Sequence, residues 1–216
     1  MSIGLIGEKI GMTRIFCDDG TVIPVTVIKA GPCPVVEKKT IEKHGYTALK
    51  LGYREVKEGK MSLPAEGVFK KKNLAPCRYV HEFRCDESSV EEGATIDVTL
   101  FKENEYIDIT GISTGKGFQG VVKRHGFTGG KKTHGHHGTR QAGSIGMCAW
   151  PSKVLKGHKM PGQMGNKRRT VHNVKIVRVD SENNLLLVKG SIIGKPRSIV
   201  YIRKALKKQM KATVGA

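Results

Sequence analysis

Residues 109–179 read ITGISTGKGFQGVVKRHGFTGGKKTHGHHGTRQAGSIGMCAWPSKVLKGHKMPGQMGNKRRTVHNVKIVRV. The stretch contains no aspartate or glutamate, but it holds fourteen lysine and arginine residues and fourteen glycines. Its apolar residues show almost no regular period. Such a segment cannot bury enough apolar area to offset the entropy that its ordering costs. We therefore expect it to become ordered against a large, close-packed polyanion.

The positive charge of the chain is concentrated in this stretch and in the C-terminal tail. The net charge is +19, of which residues 1–108 contribute −1, residues 109–179 contribute +14 and residues 180–216 contribute +6. This asymmetry makes nucleic acid the first partner to consider. A membrane is disfavoured, because no apolar run approaches the roughly 18–20 residues of a spanning helix. The N-terminus lacks the pattern of a secretory signal, so we expect an intracellular protein.

Short apolar stretches on both sides of the basic stretch are typical of β-strands. The sequence predicts a short helix over 64–74 and strands over 21–29, 46–53, 78–84, 94–100, 106–110, 171–179, 185–189 and 198–203. Many short strands with frequent turn signals favour a closed or nearly closed antiparallel barrel. We therefore predict a mainly β protein in which residues 1–110 and 171–216 form a barrel. Residues 111–170 would be a long, irregular, basic loop inserted into it.

Glycine patterns in the loop imitate two nucleotide-binding motifs. Residues 115–120, GKGFQG, match the dinucleotide pattern, but that site also needs an acidic residue about twenty positions on. The next acidic residue is Asp180, far beyond that spacing. Residues 111–117 resemble a phosphate-binding loop, but Gly117 stands where a Ser or Thr must hold magnesium. The sequence therefore predicts no nucleotide cofactor and no small-molecule substrate.

Histidines and cysteines of the chain lack the neighbours that catalysis or metal binding requires. His134, His136 and His137 have no carboxylate nearby that could act as a base or orient an imidazole. Five cysteines occur without a Cys-x-x-Cys pair, so structural zinc is not expected. We expect the cysteines to be reduced, mostly buried thiols. We predict no catalytic residue, no metal site and no cofactor.

Contacts to RNA are the remaining role for the polar residues of the loop. Trp150, the only tryptophan, has two alternative places: packed in the barrel core, or near the tip of the loop among nucleotides. Pro151 and Pro161 favour a bend rather than a helix around it. The residues that we expect to bind RNA are Lys116, Lys123, Arg124, Lys131, Lys132, His134, His136, His137, Arg140, Trp150, Lys153, Lys156, Lys159, Lys167, Arg168 and Arg169.

Several motifs resemble the bacterial-type ribosomal protein L3 family. Residues 3–16, IGLIGEKIGMTRIF, are similar to the opening of that family. Further similar motifs are THG at 133–135, GSIG at 143–146, KGHKM at 156–160, GQMGN at 162–166 and NLLLVKG at 184–190. The family signature is matched by Phe101, Asp108, Gly111, Ser113, Gly115, Lys116, Gly117, Gly120 and Arg124.

The resemblance implies a six-stranded barrel of the translation-protein type with the long basic loop inserted into it. It implies a structural constituent of the large ribosomal subunit in the cytoplasm, which binds 23S rRNA near its 3′ region and supports subunit assembly. The loop would approach the peptidyl-transferase centre, and ribosomal proteins L14 and L19 would be neighbours. Ala149 stands where some bacterial members carry a methylated glutamine, so we expect that modification to be absent.

Two other classes of function remain open from the residues alone. The first is a general nucleic-acid-binding protein that acts away from the ribosome, since its basic surface would be the same. The second is an enzyme, either a nucleotide-dependent transferase or a methyltransferase, which would have to bind its nucleotide without the motifs discussed above.

Overall fold

The computed structural model describes residues 3–57, 59–85 and 90–208, and the chain divides into two compact units. The first unit contains residues 1–112 and 168–216, and the second contains residues 113–167. Within the described residues, no helix is long and apolar enough to cross a membrane.

Strands dominate the described parts of the chain. The strands are β1 (Gly4–Phe16), β2 (Val22–Ala30), β3 (Cys33–Lys39), β4 (Ala48–Glu55), β5 (Cys77–Arg84), β6 (Thr95–Ile96), β7 (Tyr106–Ile112), β8 (Gly117–Gln119), β9 (Gly162–Met164), β10 (Arg168–Asp180), β11 (Leu185–Lys189) and β12 (Ile199–Lys204). The helices are α1 (Ile41–His44), α2 (Leu63–Lys70) and α3 (Val121–His125), with a 3-10 turn at Val98–Leu100.

Six strands of the first unit close into a barrel. Their order around it is β1-β12-β7-β10-β11-β2, and every neighbouring pair is antiparallel. The interior is filled by fully buried aliphatic side chains, among them Leu5, Ile28, Ile109, Ile176 and Ile202. The mainly β fold with an antiparallel barrel, which the strand pattern predicts, is therefore confirmed, and so are the six barrel strands that the family resemblance implies.

β1 and β3 are not among the strands that the sequence predicts. Glycine weakens the strand signal, and β1 contains Gly4, Gly7 and Gly11. The barrel uses the first of these for close packing: a Cβ on Gly4 would meet the carbonyl oxygen of Ile202 and the ring of Phe83. The glycines that permit this close packing therefore also weaken the sequence pattern by which a strand is predicted.

Replacing Gly4 with Ala will destabilise the barrel, because the new methyl group would clash with the Ile202 backbone carbonyl as well as with the buried Phe83 ring. Overpacking of this kind costs about 1–3 kcal/mol, which lowers the melting temperature by about 2–4 °C per kcal/mol in a chain of this size. Gly11→Ala is the control in the same strand, because nothing lies within 4 Å of its added Cβ. Equal melting temperatures of the two variants would contradict this packing.

A second sheet of the first unit takes strands that the sequence assigns to the barrel. Its order is β5-β4-β3-β6. Side chains from it, including Val35, Leu49 and Phe83, share one hydrophobic cluster with the barrel residues. The predicted strand over 94–100 is wrong beyond Ile96, because the chain turns at 98–100 and this turn buries Val98. The predicted helix over 64–74 ends earlier, at Lys70.

β10 begins three residues before its predicted start. Arg168, Arg169 and Thr170 pair with Ile112, Gly111 and Thr110 of β7. Strand pairing therefore continues to the point where the two units meet in sequence, and Arg168 and Arg169 belong to a barrel strand rather than to the loop in which the sequence places them.

Candidate nucleic-acid interface

Residues 113–167, which we call the extension, have almost no hydrophobic core. The structure describes all of them, and Val121 is the only buried side chain. The extension contains ten lysine and arginine residues and no acidic residue. No salt bridge among the described residues involves any of these ten cations. A surface of this kind can neutralise many phosphates at once.

Backbone hydrogen bonds order the base of the extension. β8 and β9 form a two-stranded antiparallel ribbon. Below it, Ser113 N–H donates to the Lys167 carbonyl at 3.0 Å, and Asn166 N–H donates to the Ser113 carbonyl at 3.0 Å. Gly165 has a φ of 73° and lies against the Thr114 carbonyl, where a side chain would clash. The ribbon therefore depends on glycine for close backbone approach, not on apolar burial.

A short helix brings the side chains of Arg124 and His125 to one backbone carbonyl. Arg124 Nη1 donates to the Met160 carbonyl oxygen at 2.5 Å, and His125 Nε2 lies 3.0 Å from the same oxygen. Both residues come from α3, which ends at Gly126 with a φ of 74°. Arg124 therefore has a structural contact, and its remaining N–H groups are those that can bind an anion. His125 is not among the residues that the sequence predicts to bind RNA.

The predicted RNA-binding residues are almost all exposed to solvent. Fourteen of the sixteen lie in the extension, and Arg168 and Arg169 lie in β10. Fifteen of the sixteen are exposed, and Arg124 is half-buried. Because successive residues of a strand point to opposite faces, Arg168 and Arg169 point to opposite sides of β10. The contacts of these residues with RNA stay a prediction.

Exposed apolar side chains accompany the cations. Trp150 is 84% exposed, so the alternative that it packs in the barrel core is wrong. Phe118, Met147 and Leu155 are also more than half exposed, and none of them is among the predicted RNA-binding residues. These residues could have been found in the sequence as large apolar residues in an acid-free, glycine-rich segment whose apolar residues show no regular period. Such side chains can stack on bases or wedge between them.

The histidines and cysteines of the described residues differ in their surroundings. Among the described residues, no group of three or more His, Cys, Asp or Glu side chains could hold a metal ion. His136 Nδ1 instead accepts a hydrogen bond from the Gly138 N–H at 3.1 Å. Cys33 is buried, and burial raises the pKa of its thiol to about 12. Cys148 is the exposed cysteine.

Comparison with known proteins identifies the family. The model of the family described as ribosomal protein L3 matches residues 71–184. The large ribosomal subunit protein uL3 of Petrotoga mobilis is 50% identical over 205 residues, which cover 94% of this chain and 96% of the relative. The proteins of the same name from Carboxydothermus hydrogenoformans and Brachyspira pilosicoli are 47% and 46% identical, covering 96% and 97% of this chain and 99% and 96% of the relatives. The chain therefore belongs to the ribosomal protein L3 family.

Proposed function

We propose that this protein is a structural constituent of the large ribosomal subunit and that it binds 23S rRNA through the extension. The observation that carries the proposal is a segment of 55 residues with ten exposed or half-buried cations, no acidic residue and one buried side chain. The relatives are named large ribosomal subunit protein uL3. As members of the ribosomal protein L3 family, they and this chain are structural components and not enzymes.

The extension acts in this proposal by removing electrostatic repulsion between RNA segments. Each lysine or arginine that meets a phosphate releases condensed counterions, so binding is strong at low salt and falls steeply as salt is raised. Exposed Trp150 and Phe118 add stacking on bases, which does not depend on salt. The barrel, whose core contains no side chain of the extension, is the rigid anchor.

Finer assignments follow from the sequence resemblance. We place the extension near the peptidyl-transferase centre and its binding site near the 3′ region of 23S rRNA, and we assign the protein a part in subunit assembly. Ribosomal proteins L14 and L19 are the proposed neighbours. Cross-linking in purified large subunits tests the neighbours, since a protein without cross-links to either of them would lie elsewhere.

Sedimentation separates this proposal from the general nucleic-acid-binding alternative. A tagged chain expressed in bacteria should travel with large subunits through a sucrose gradient and remain with them at salt concentrations that remove loosely bound basic proteins. If most of the chain stayed free of large subunits under those conditions, the general nucleic-acid-binding alternative would replace the proposal.

Cys148 offers a direct measure of where the extension lies. It is exposed, whereas Cys33, Cys77 and Cys85 are buried and Cys17 is half-buried. A chemical nuclease tethered to Cys148 of the assembled protein should cleave rRNA around the peptidyl-transferase centre. A Cys148→Ser variant treated in the same way is the control for the other thiols. Cleavage confined to rRNA far from that centre would contradict the placement.

Replacing Lys153, Lys156 and Lys159 together with Gln should weaken rRNA binding without changing the melting temperature. All three are exposed, and surface substitutions without contacts cost little stability. If each meets a phosphate, the slope of log Kobs against log salt falls by about 2–3 in magnitude.

The matched control for these three substitutions removes the same charge from the barrel unit. Lys57, Lys60 and Lys71 are exposed, and their replacement with Gln should leave the salt slope nearly unchanged. Equal losses of affinity in the two triple variants would show that net charge, and not the extension, determines binding.

A further inference from the structure

A cavity of about 300 Å³ in the first unit is distinct from the extension. Three arginines contribute to its lining, together with an imidazole, a phenol and a threonine hydroxyl. These residues are Arg84, Arg168, Arg203, His81, Tyr201 and Thr110. We call this cavity the arginine pocket.

Strand register brings the arginines of the barrel together. Tyr201 of β12 pairs with Thr110 of β7, and Thr110 pairs with Thr170 of β10. Side chains two residues apart share a face, so Arg203 and Arg168 lie on the same side of the sheet as this row, outside the barrel core. The end of β5, the edge strand of the second sheet, supplies the facing wall, and Leu206 beyond β12 completes the lining.

The pocket has an excess of positive charge. Glu82 is the only carboxylate in its lining. That carboxylate is already engaged, since Lys39 Nζ lies 2.8 Å from one oxygen and the Tyr46 hydroxyl donates to the other at 2.9 Å. No salt bridge among the described residues involves Arg84, Arg168 or Arg203.

Arg203 carries the observation that points to a ligand. Its Nε is buried and has no hydrogen-bond partner within the described residues. A buried donor of a charged group without a partner costs free energy. An oxyanion resolves this cost, because a guanidinium presents its N–H groups in a fork that matches phosphate oxygens.

The surroundings of the His81 imidazole favour its neutral form. Burial lowers the pKa of His81, and the charge of Arg168 lowers it further, while Glu82 opposes the shift. The ring is held in place by stacking on Tyr201, with centroids 3.9 Å apart. Burial and the Arg168 charge together therefore favour the neutral ring, although Glu82 opposes them.

We propose that the arginine pocket binds a phosphate group, with Arg168 and Arg203 as its principal donors and Arg84 at the rim. The volume is at the lower end of known ligand sites and suits a phosphate with its sugar better than a whole nucleotide. The phosphate comes either from an RNA backbone, which rests on the proposed function above, or from a free phosphate compound, which does not.

Inorganic phosphate added to the full chain at constant ionic strength tests the pocket, with the His81 imidazole followed by NMR. The expected result is a saturable change at His81 and a rise in its pKa, because a bound anion stabilises the protonated ring. The exposed His44, which does not line the pocket, is the internal control. The absence of a saturable response at His81, or an equal response at both histidines, overturns the proposal.

Two variants and a matched control link the response to the pocket. Arg203→Gln and Arg168→Gln should each weaken phosphate binding at least tenfold, and the exposed Arg168 provides a variant that does not disturb packing. Arg178→Gln removes the same charge from the exposed end of β10 and should bind phosphate like the original chain. Equal weakening in Arg178→Gln would mean that only net charge is sensed, and the pocket would be refuted.

Binding of full-length 23S rRNA identifies the source of the phosphate. If an RNA phosphate occupies the pocket, Arg203→Gln lowers the magnitude of the salt slope by about 0.7–0.9 while Arg178→Gln does not. An unchanged slope, together with the phosphate response at His81, assigns the pocket to a free phosphate compound. A chain that failed to bind rRNA but kept the His81 response would refute the proposed function and leave the pocket standing.

Discussion

A chain in which residues 113–167 are replaced by Asn-Gly will fold into the same barrel and lose nearly all of its affinity for rRNA. We expect a loss of about a thousandfold or more at roughly 0.15 M salt, because a protein that gives up six to ten phosphate contacts gives up an electrostatic term of that order. The deleted segment carries ten lysine and arginine residues. Filter binding or a mobility-shift titration measures the loss.

The barrel tolerates this deletion because its two cut ends are already neighbours. Ile112 and Arg168 are paired across β7 and β10. Asn-Gly is the preferred sequence for a two-residue turn between antiparallel strands, so the turn closes the strand pair where the extension leaves it. The buried cluster of the barrel and second sheet contains no residue from 113–167. The melting temperature should therefore change little.

A linker of equal length separates loss of chemistry from loss of length. When residues 113–167 are replaced by a Gly/Ser sequence of the same length, affinity should fall as far as in the Asn-Gly variant, since the linker carries no cation. If either variant bound rRNA almost as tightly as the original chain, the extension would not be the RNA-binding element. A deletion variant that failed to fold would show that the barrel needs the extension.

Asp108→Ala will produce the largest loss of stability from a single substitution that we expect. The Asp108 side chain is fully buried. Its carboxylate accepts hydrogen bonds from the Asn173 N–H at 2.9 Å and the Leu206 N–H at 3.5 Å, and lies 3.0 Å from His172 Nδ1. It therefore joins β7 to β10 and to the chain beyond β12.

The expected cost of this substitution is about 3 kcal/mol, because it leaves buried donors without an acceptor. In a chain of this size that corresponds to a fall of about 6–12 °C in melting temperature. Asp19→Ala is the control, since Asp19 is exposed in a turn. A melting temperature of Asp108→Ala within the error of the control would show that these hydrogen bonds contribute nothing.

The same carboxylate gives the barrel a defined dependence on pH. Burial alone would raise the pKa of Asp108, but the hydrogen bonds from Asn173, His172 and Leu206 outweigh it and hold the pKa below its ordinary value of 3.8. The unfolded chain therefore binds the proton first, and the stabilisation is complete above about pH 4 and lost as the pH falls through the lowered value. Denaturant titrations between pH 2 and 6 should show a weaker acid dependence for Asp108→Ala than for the original chain.

The part of the fold carried by local patterns could be predicted from the sequence. β2, β4, β5, β7, β11 and β12 lie within about two residues of their predicted positions. In contrast, the sequence does not predict β1 and β3. Gly4 shows the reason for β1: a glycine is needed there because the backbone of Ile202 lies close to it. Ile202 is almost two hundred residues away, so no local sequence pattern contains this contact. The division of the strands between a barrel and a second sheet was missed for the same reason, because alternation does not say which sheet a strand joins.

For the candidate interface, too, one part can be predicted from the sequence and another part is decided only by the tertiary structure. Composition alone marks an acid-free segment of cations and glycines that cannot build a core, because that statement depends on which side chains are present and not on where they lie. Tertiary structure decided that Trp150 is exposed, that Arg168 belongs to a barrel strand, and that Arg203 approaches it across β7. Charge and apolar content depend only on composition and can be read from the sequence. The pocket, in contrast, exists only because hydrogen-bonded register brings together three strands that are distant in sequence.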